Sequence, residues 1–146
     1  MSIQFLDMRI SQDGTTDTPG VNLVRSSYIF GDIGLQTLNV TPANASLVRV
    51  TLNAYVRLSV DPSVIFQNDV TFSIYRNSVL IFSTTYPGNI NNTVTQYEMV
   101  GITAVDFPPV GDVLMGQIQY TISASAIRTA TLGARSFSGV AVAGNG

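Results

Sequence analysis

Between Leu47 and Val60 every second residue is apolar: Val48, Val50, Leu52, Ala54, Val56 and Leu58. The residues between them, Arg49, Thr51, Asn53, Tyr55, Arg57 and Ser59, are polar or amphipathic. Side chains alternate faces along a strand, so this stretch is a strand with one dry and one wet face. A helix would scatter the same residues around its circumference. Each large aliphatic on the dry face contributes roughly 1.5–3 kcal/mol if fully buried. A slip of one residue would move all of them into water, so the register is tightly specified. Val50→Asp is expected to unfold the domain.

The flanking chain is punctuated at short intervals. Ser2 to Ile10 alternates only in part, with Ile3, Phe5, Leu6, Met8 and Ile10 not cleanly separated between two faces. Ser11 to Gly20 follows as a polar loop without an apolar anchor, ending in the turn signature Thr18-Pro19-Gly20. Strands are expected over Val21–Phe30 and Leu35–Val40, separated by Gly31, Asp32 and Gly34. Beyond Asp61-Pro62, the segment Val64-Ile65-Phe66 is expected to fold back on the core edge. Val70–Tyr75 and Val79–Tyr86 form a hairpin about Arg76-Asn77-Ser78, where Asn tolerates the positive φ of a tight turn. Pro87 ends it, and Asn89–Asn92 is a polar loop. Thr93–Phe107 is a long strand whose Gly101 suggests a bulge or bend. Phe107-Pro108-Pro109-Val110-Gly111 is a connector. Val113–Ala124 and Arg128–Ala143 complete the set, with Leu114, Ile118, Tyr120 and Ile122 on one face and Gly133 as a kink.

No helical period is sustained. Eight or nine short-spaced strands indicate an all-β antiparallel β-sandwich or barrel. Long strands near the C-terminus favour two Greek keys, a jelly-roll topology. The alternative, an immunoglobulin-like sandwich, lacks its Cys and Trp landmarks. The division expected is a strand and flexible linker over residues 1–20, a candidate donor arm, and a jelly-roll domain over 21–146.

Charge decides which function classes stay open. Charged residues are 11% of the 146, the net charge is −2, and no Lys, His, Cys or Trp occurs. An average domain carries about 25% charged residues. Nucleic-acid binding needs clustered cations, and none is present. A surface of Thr, Ser, Asn and Gln with little net charge favours association. No secretory leader and no bilayer-length apolar run is visible, so neither Sec export nor a membrane is expected.

Chemistry is sparse. Without His, Lys or Cys, a nucleophilic triad has no ordinary base. A paired-carboxylate glycosidase is the hydrolase the composition permits, yet the single Glu98 lies on an ordinary strand. Asp61, Asp69, Asp106 and Asp112 flank strands and are weighed as calcium ligands, but no Asp-x-Asp-x-Asp spacing occurs. The sequons at Asn39, Asn44 and Asn91 are expected to be chance. No enzyme activity, cofactor or metal is expected.

The first strand carries the functional content. A tethered strand can pair with an exposed edge of a neighbouring subunit. Ile3, Phe5, Leu6, Met8 and Ile10 are therefore the candidate subunit-interface residues, and head-to-tail transfer without closure would build a filament.

The hairpin Val70-Thr71-Phe72-Ser73-Ile74-Tyr75-Arg76-Asn77-Ser78-Val79-Leu80-Ile81-Phe82 resembles a segment of jelly-roll domains in Bacillus-type spore-surface proteins. Asp106-Phe107-Pro108-Pro109-Val110-Gly111 and Ser136-Phe137-Ser138-Gly139-Val140-Ala141-Val142 are similar too. The resemblance implies kinship with exosporium heads, which trimerise like tumour-necrosis-factor or C1q domains, and with endospore appendage fibres. The chain departs from them in lacking a Gly-X-Y repeat and N-terminal cysteines. What it implies here is a homopolymeric fibre subunit on a spore surface, or another extracellular fibre, with other spore-surface proteins as possible partners. The alternatives are a closed trimeric tip or adhesion module, with Tyr55, Tyr75, Tyr97 and Tyr120 at subunit contacts, a carbohydrate-binding module using Tyr55 and Tyr75, or a phage virion protein.

Overall fold

A computed structural model describes residues 3–62, 67–88 and 94–145. Among these, nine strands follow in chain order: β1 (Gln4–Gly14), β2 (Val21–Leu23), β3 (Ser26–Gln36), β4 (Val48–Val60), β5 (Val70–Arg76), β6 (Val79–Tyr86), β7 (Gln96–Asp106), β8 (Gln117–Ala126) and β9 (Ala130–Ala143). A 3-10 turn, Pro42–Leu47, leads into β4, and a one-turn helix, α1 (Val110–Leu114), precedes β8. The first sheet has the order β1-β9-β4-β7, with β2 also pairing with β9; the second has the order β3-β8-β5-β6. Every recorded strand pair is antiparallel. Two packed antiparallel sheets with these strand orders make a jelly-roll sandwich.

β4 is central in the first sheet, between β9 and β7. Val48, Val50, Leu52, Ala54, Val56, Leu58 and Val60 are all buried, as the alternation requires. They face Phe72, Ile74, Ile118, Tyr120 and Ile122 of the second sheet in one core cluster. Phe30 meets Phe72 edge-to-face at 6.3 Å, a favoured aromatic geometry.

Several expected boundaries move. Gly31 and Gly34 do not end a strand, because β3 runs through both, with a bulge against β8 between Ile29 and Gly31. A Cβ on Gly31 would strike Phe137 and Ile122, so glycine here permits close packing of the two sheets. The chain breaks earlier, beside Arg25 at φ +51°. Gly101 makes neither bulge nor bend: the β4–β7 register runs without a shift from Gln96 to Asp106. Gly133 does mark an irregularity, since β9 carries the extra residues opposite Val56 to Leu58. Val113 and Leu114 belong to α1, so Leu114 is exposed instead of sharing the buried face of Ile118, Tyr120 and Ile122. Val64-Ile65-Phe66 and the loop Asn89–Asn92 lie outside the described residues.

Candidate assembly surface

β1 pairs in cis with β9, from Gln4 opposite Ala143 to Gly14 opposite Arg135. It therefore extends past Ile10 into the stretch read as a linker. A bulge falls between Phe5 and Asp7. That extra residue, Leu6, turns inward and packs on the core. It also resets the alternation, so that Phe5, Met8 and Ile10 share the outer face. They lie opposite Val142, Val140 and Ser138. Their exposures are 62%, 54% and 69%, so three large apolar side chains stand in water beside two valines. Ile3 precedes the ladder and is also exposed. Of the five residues singled out in the sequence, four are thus exposed and Leu6 is directed into the core.

Beyond this strip the central part of the outer face is mainly polar. Thr51 lies between Val140 and Val105, Asn53 between Ser138 and Thr103, and Tyr55 between Ser136 and Gly101. Tyr97, Met99 and Val105 of β7 are exposed on the same face. The arginines of β4 on this face are both engaged. Arg49 donates to the Gly144 carbonyl at 2.9 Å. Arg57 pairs with Asp17 at 3.1 Å and lies 4.8 Å from the Tyr97 ring centre. Four strands and five residue rows give about 650 Å² of flat area. A stable interface uses about 800 Å² per partner. The sequence singles out the β1 residues and Tyr55 and Tyr97 separately, but not their union with Val140, Val142, Met99 and Val105, because these come from both ends of the chain and from β7 and only the register brings them together.

Polar groups hold β1 and the loop after it. Asp7 accepts from the Gln36 backbone N–H at 2.8 Å and pairs with Arg9. Asp13 accepts from Tyr28 Oη at 2.7 Å and from Arg135 Nε at 2.6 Å. Asp17 accepts from the Ala134 N–H at 3.0 Å. Partial burial works against the charged forms of Asp7 and Asp13. The Arg9 guanidinium and backbone N–H groups outweigh it at Asp7, and the Tyr28 hydroxyl and Arg135 guanidinium do so at Asp13. Both carboxyls therefore sit below their ordinary value.

The remaining weighed residues take other places. Tyr120 is fully buried, so it lies away from any subunit contact. Its hydroxyl donates to Asp106 at 2.7 Å. Arg76 bridges Asp106 at 2.8 Å and Asp112 at 3.0 Å. Two of the four aspartates weighed as calcium ligands, Asp106 and Asp112, are thus tied to a guanidinium. Asp69 accepts from the Gly88 N–H, while Asp61 is exposed. Among the described residues, no group of three or more carboxylates converges as a metal site. Tyr55 and Tyr75 lie on the outer faces of different sheets, so they form no shared stacking platform for a sugar.

No protein-family model and no curated protein matches the chain. Solved structures do. The structure of infectious bursal disease virus Gx strain matches with a TM-score of 0.52 at 4% identity, over 94% of this chain and 36% of the viral one. The D431N mutant VP2 protein of the same virus, from T=1 particles, matches with a TM-score of 0.51 at 4% identity, over 94% and 35%. A T13 particle of the virus gives 0.50 at 5% identity, over 94% and 34%. This chain thus spans about a third of those viral chains, and what it shares with them is the sandwich fold.

Proposed function

We propose that this chain is a structural subunit that assembles with copies of itself through the outer face of its first sheet. One observation carries the reading: Phe5, Met8 and Ile10 form an exposed apolar strip beside Val140 and Val142. Contiguous exposed apolar surface of this kind marks interaction sites. The low charge of the chain adds little self-repulsion. In this reading the protein is a building element without catalysis or cofactor. Its setting is a spore-surface layer or other extracellular fibre, supported by the resemblance of the hairpin and C-terminal segments. A virion coat is the alternative, supported by the capsid-type fold. A closed trimer and an open fibre differ only in the rotation that relates neighbours.

The test is a triple variant, Phe5→Asp, Met8→Asp and Ile10→Asp, followed by light scattering and negative-stain microscopy. The wild type is expected to run as an oligomer or fibre, and the variant as a small species no larger than a dimer, with an unchanged circular dichroism spectrum. A variant that assembles like the wild type would sink the reading.

Strand donation is the second reading. It is favoured by the small share of β1 in the core, where Leu6 is its one partly buried apolar contact. The ladder to β9 would be equally well made by a neighbour's arm. Deleting Met1–Ile10 then leaves soluble domains, whose open β9 edge a peptide of residues 1–14 should fill. Fibres that persist after deletion exclude this route.

A further inference from the structure

Among the described residues, no strand pairs with the outer edge of β7, where the first sheet ends. Such an edge offers a row of unpaired N–H and C=O groups, and β-proteins protect it with bulges, charges or proline. The other outer strands carry such protection. β1 has two register irregularities and the charges of Asp7, Arg9 and Asp13, and it packs against β3. β3 has the bulge at Ile29 to Gly31. β6 is shorter, with a register shift near its hairpin. β7 has 11 residues, an unshifted register, no proline or basic residue, and one carboxylate before its terminal Asp106, namely Glu98.

We infer that β7 pairs antiparallel with β7 of a second copy about a two-fold axis at Gly101, joining two first sheets into one. In that register Tyr97 faces Val105, Met99 faces Thr103, Val100 faces Ile102 and Glu98 faces Ala104 of the other copy. Aromatic–β-branched pairs stabilise a ladder, and no like charges are opposed. Gly101 lies on the axis and faces itself. A Cβ there would meet nothing within 4 Å in the single chain, so a side chain introduced at this position is tolerated by one copy and reports on the contact between copies. Like charges placed directly opposite one another there would oppose the pairing.

The inference builds on the reading that copies associate but uses the backbone edge of β7, at the opposite end of the first sheet from Phe5, Met8 and Ile10. It is tested by amide hydrogen exchange of the full chain at low and high protein concentration, on the wild type, Gly101→Lys and the triple strip variant. At high concentration, β7 peptides are expected to exchange at least about tenfold more slowly in the wild type. The strip variant should keep this protection as a dimer. Gly101→Lys, which sets two like charges opposite each other at the axis, should lose it while melting no lower than the wild type. Concentration-independent exchange of β7 in particles that the strip variant abolishes would overturn this inference and leave the strip reading standing. Gly101→Lys protection equal to wild type would overturn the two-fold register. A wild type that stays monomeric at every concentration would overturn both.

Discussion

Arg76 closes the β5–β6 hairpin, and its guanidinium joins two sheets: it is held by Asp106 of β7 and by Asp112 of α1, while Tyr120 of β8 completes the set. Burial alone would disfavour the Arg76 charge, but its bonds to Asp106 outweigh this and raise its pKa above the ordinary value. Burial first, then donation to Asp106, pushes the Tyr120 hydroxyl well above the usual phenol range. Tyr120→Phe should cost about 1–2 kcal/mol, because Asp106 keeps Arg76 as a partner. Arg76→Met should cost more, about 3 kcal/mol, because it leaves Asp106 nearly buried and without its cation. Urea melts of both variants check the ranking. Val50→Asp belongs to the same scale: an unpaired carboxylate at a fully buried position costs enough to erase a stability of about 5–15 kcal/mol. None of the Arg76 network was legible in the sequence, because Asp106 and Asp112 sit 30 and 36 residues from Arg76 and as strand-end carboxylates suggest only calcium ligation. The buried phase of Tyr120 was legible from its neighbours Ile118 and Ile122, yet a tyrosine fits an interface equally well by type.

At the scale of elements, legibility follows the regularity of the alternation. β4 is unbroken, so its face could be read residue by residue. β1 is interrupted at Leu6, and one inserted residue puts Phe5 and Met8 on the same side although their spacing is odd. That bulge is why its two faces looked mixed. The loop after it has no apolar anchor, and its anchors are charged: Asp13 to Arg135 and Asp17 to Arg57. A pH dependence follows. Asp7 and Asp13 have folded pKa values below their unfolded value of 3.8. Their contribution is therefore complete above that value and is lost as pH falls through the folded pKa. β1 amides should exchange faster, relative to β4 amides, below about pH 4. Asp13→Asn should show part of that loosening already at neutral pH. Equal acid responses in β1 and β4 would mean that the carboxylates do not hold the strand.

At the scale of the molecule, the sandwich was legible because a single chain must bury its own core, and that demand is written into strand after strand. The outer face obeys a different constraint. Its apolar residues satisfy nothing within one copy, so no periodicity records them, and the sequence marks only the β1 residues and, by residue type, Tyr55 and Tyr97. A contact made from Phe5, Met8, Ile10, Val140 and Val142 has a distinctive solvent response. Exposed ion pairs are screened by salt, whereas apolar burial is strengthened by excluded kosmotropic salts. Assembly should therefore change little between about 0.05 and 0.5 M sodium chloride, where screening acts most, and should increase with ammonium sulfate. It should also carry a negative heat capacity change in dilution calorimetry, the mark of apolar surface leaving water. Dissociation by sodium chloride would point to the arginines at the ends of the face, Arg49 and Arg57, as the contact. The Phe5, Met8 and Ile10 variant would then lose its effect while Arg57→Gln gained one, so the two origins of association separate in a single titration.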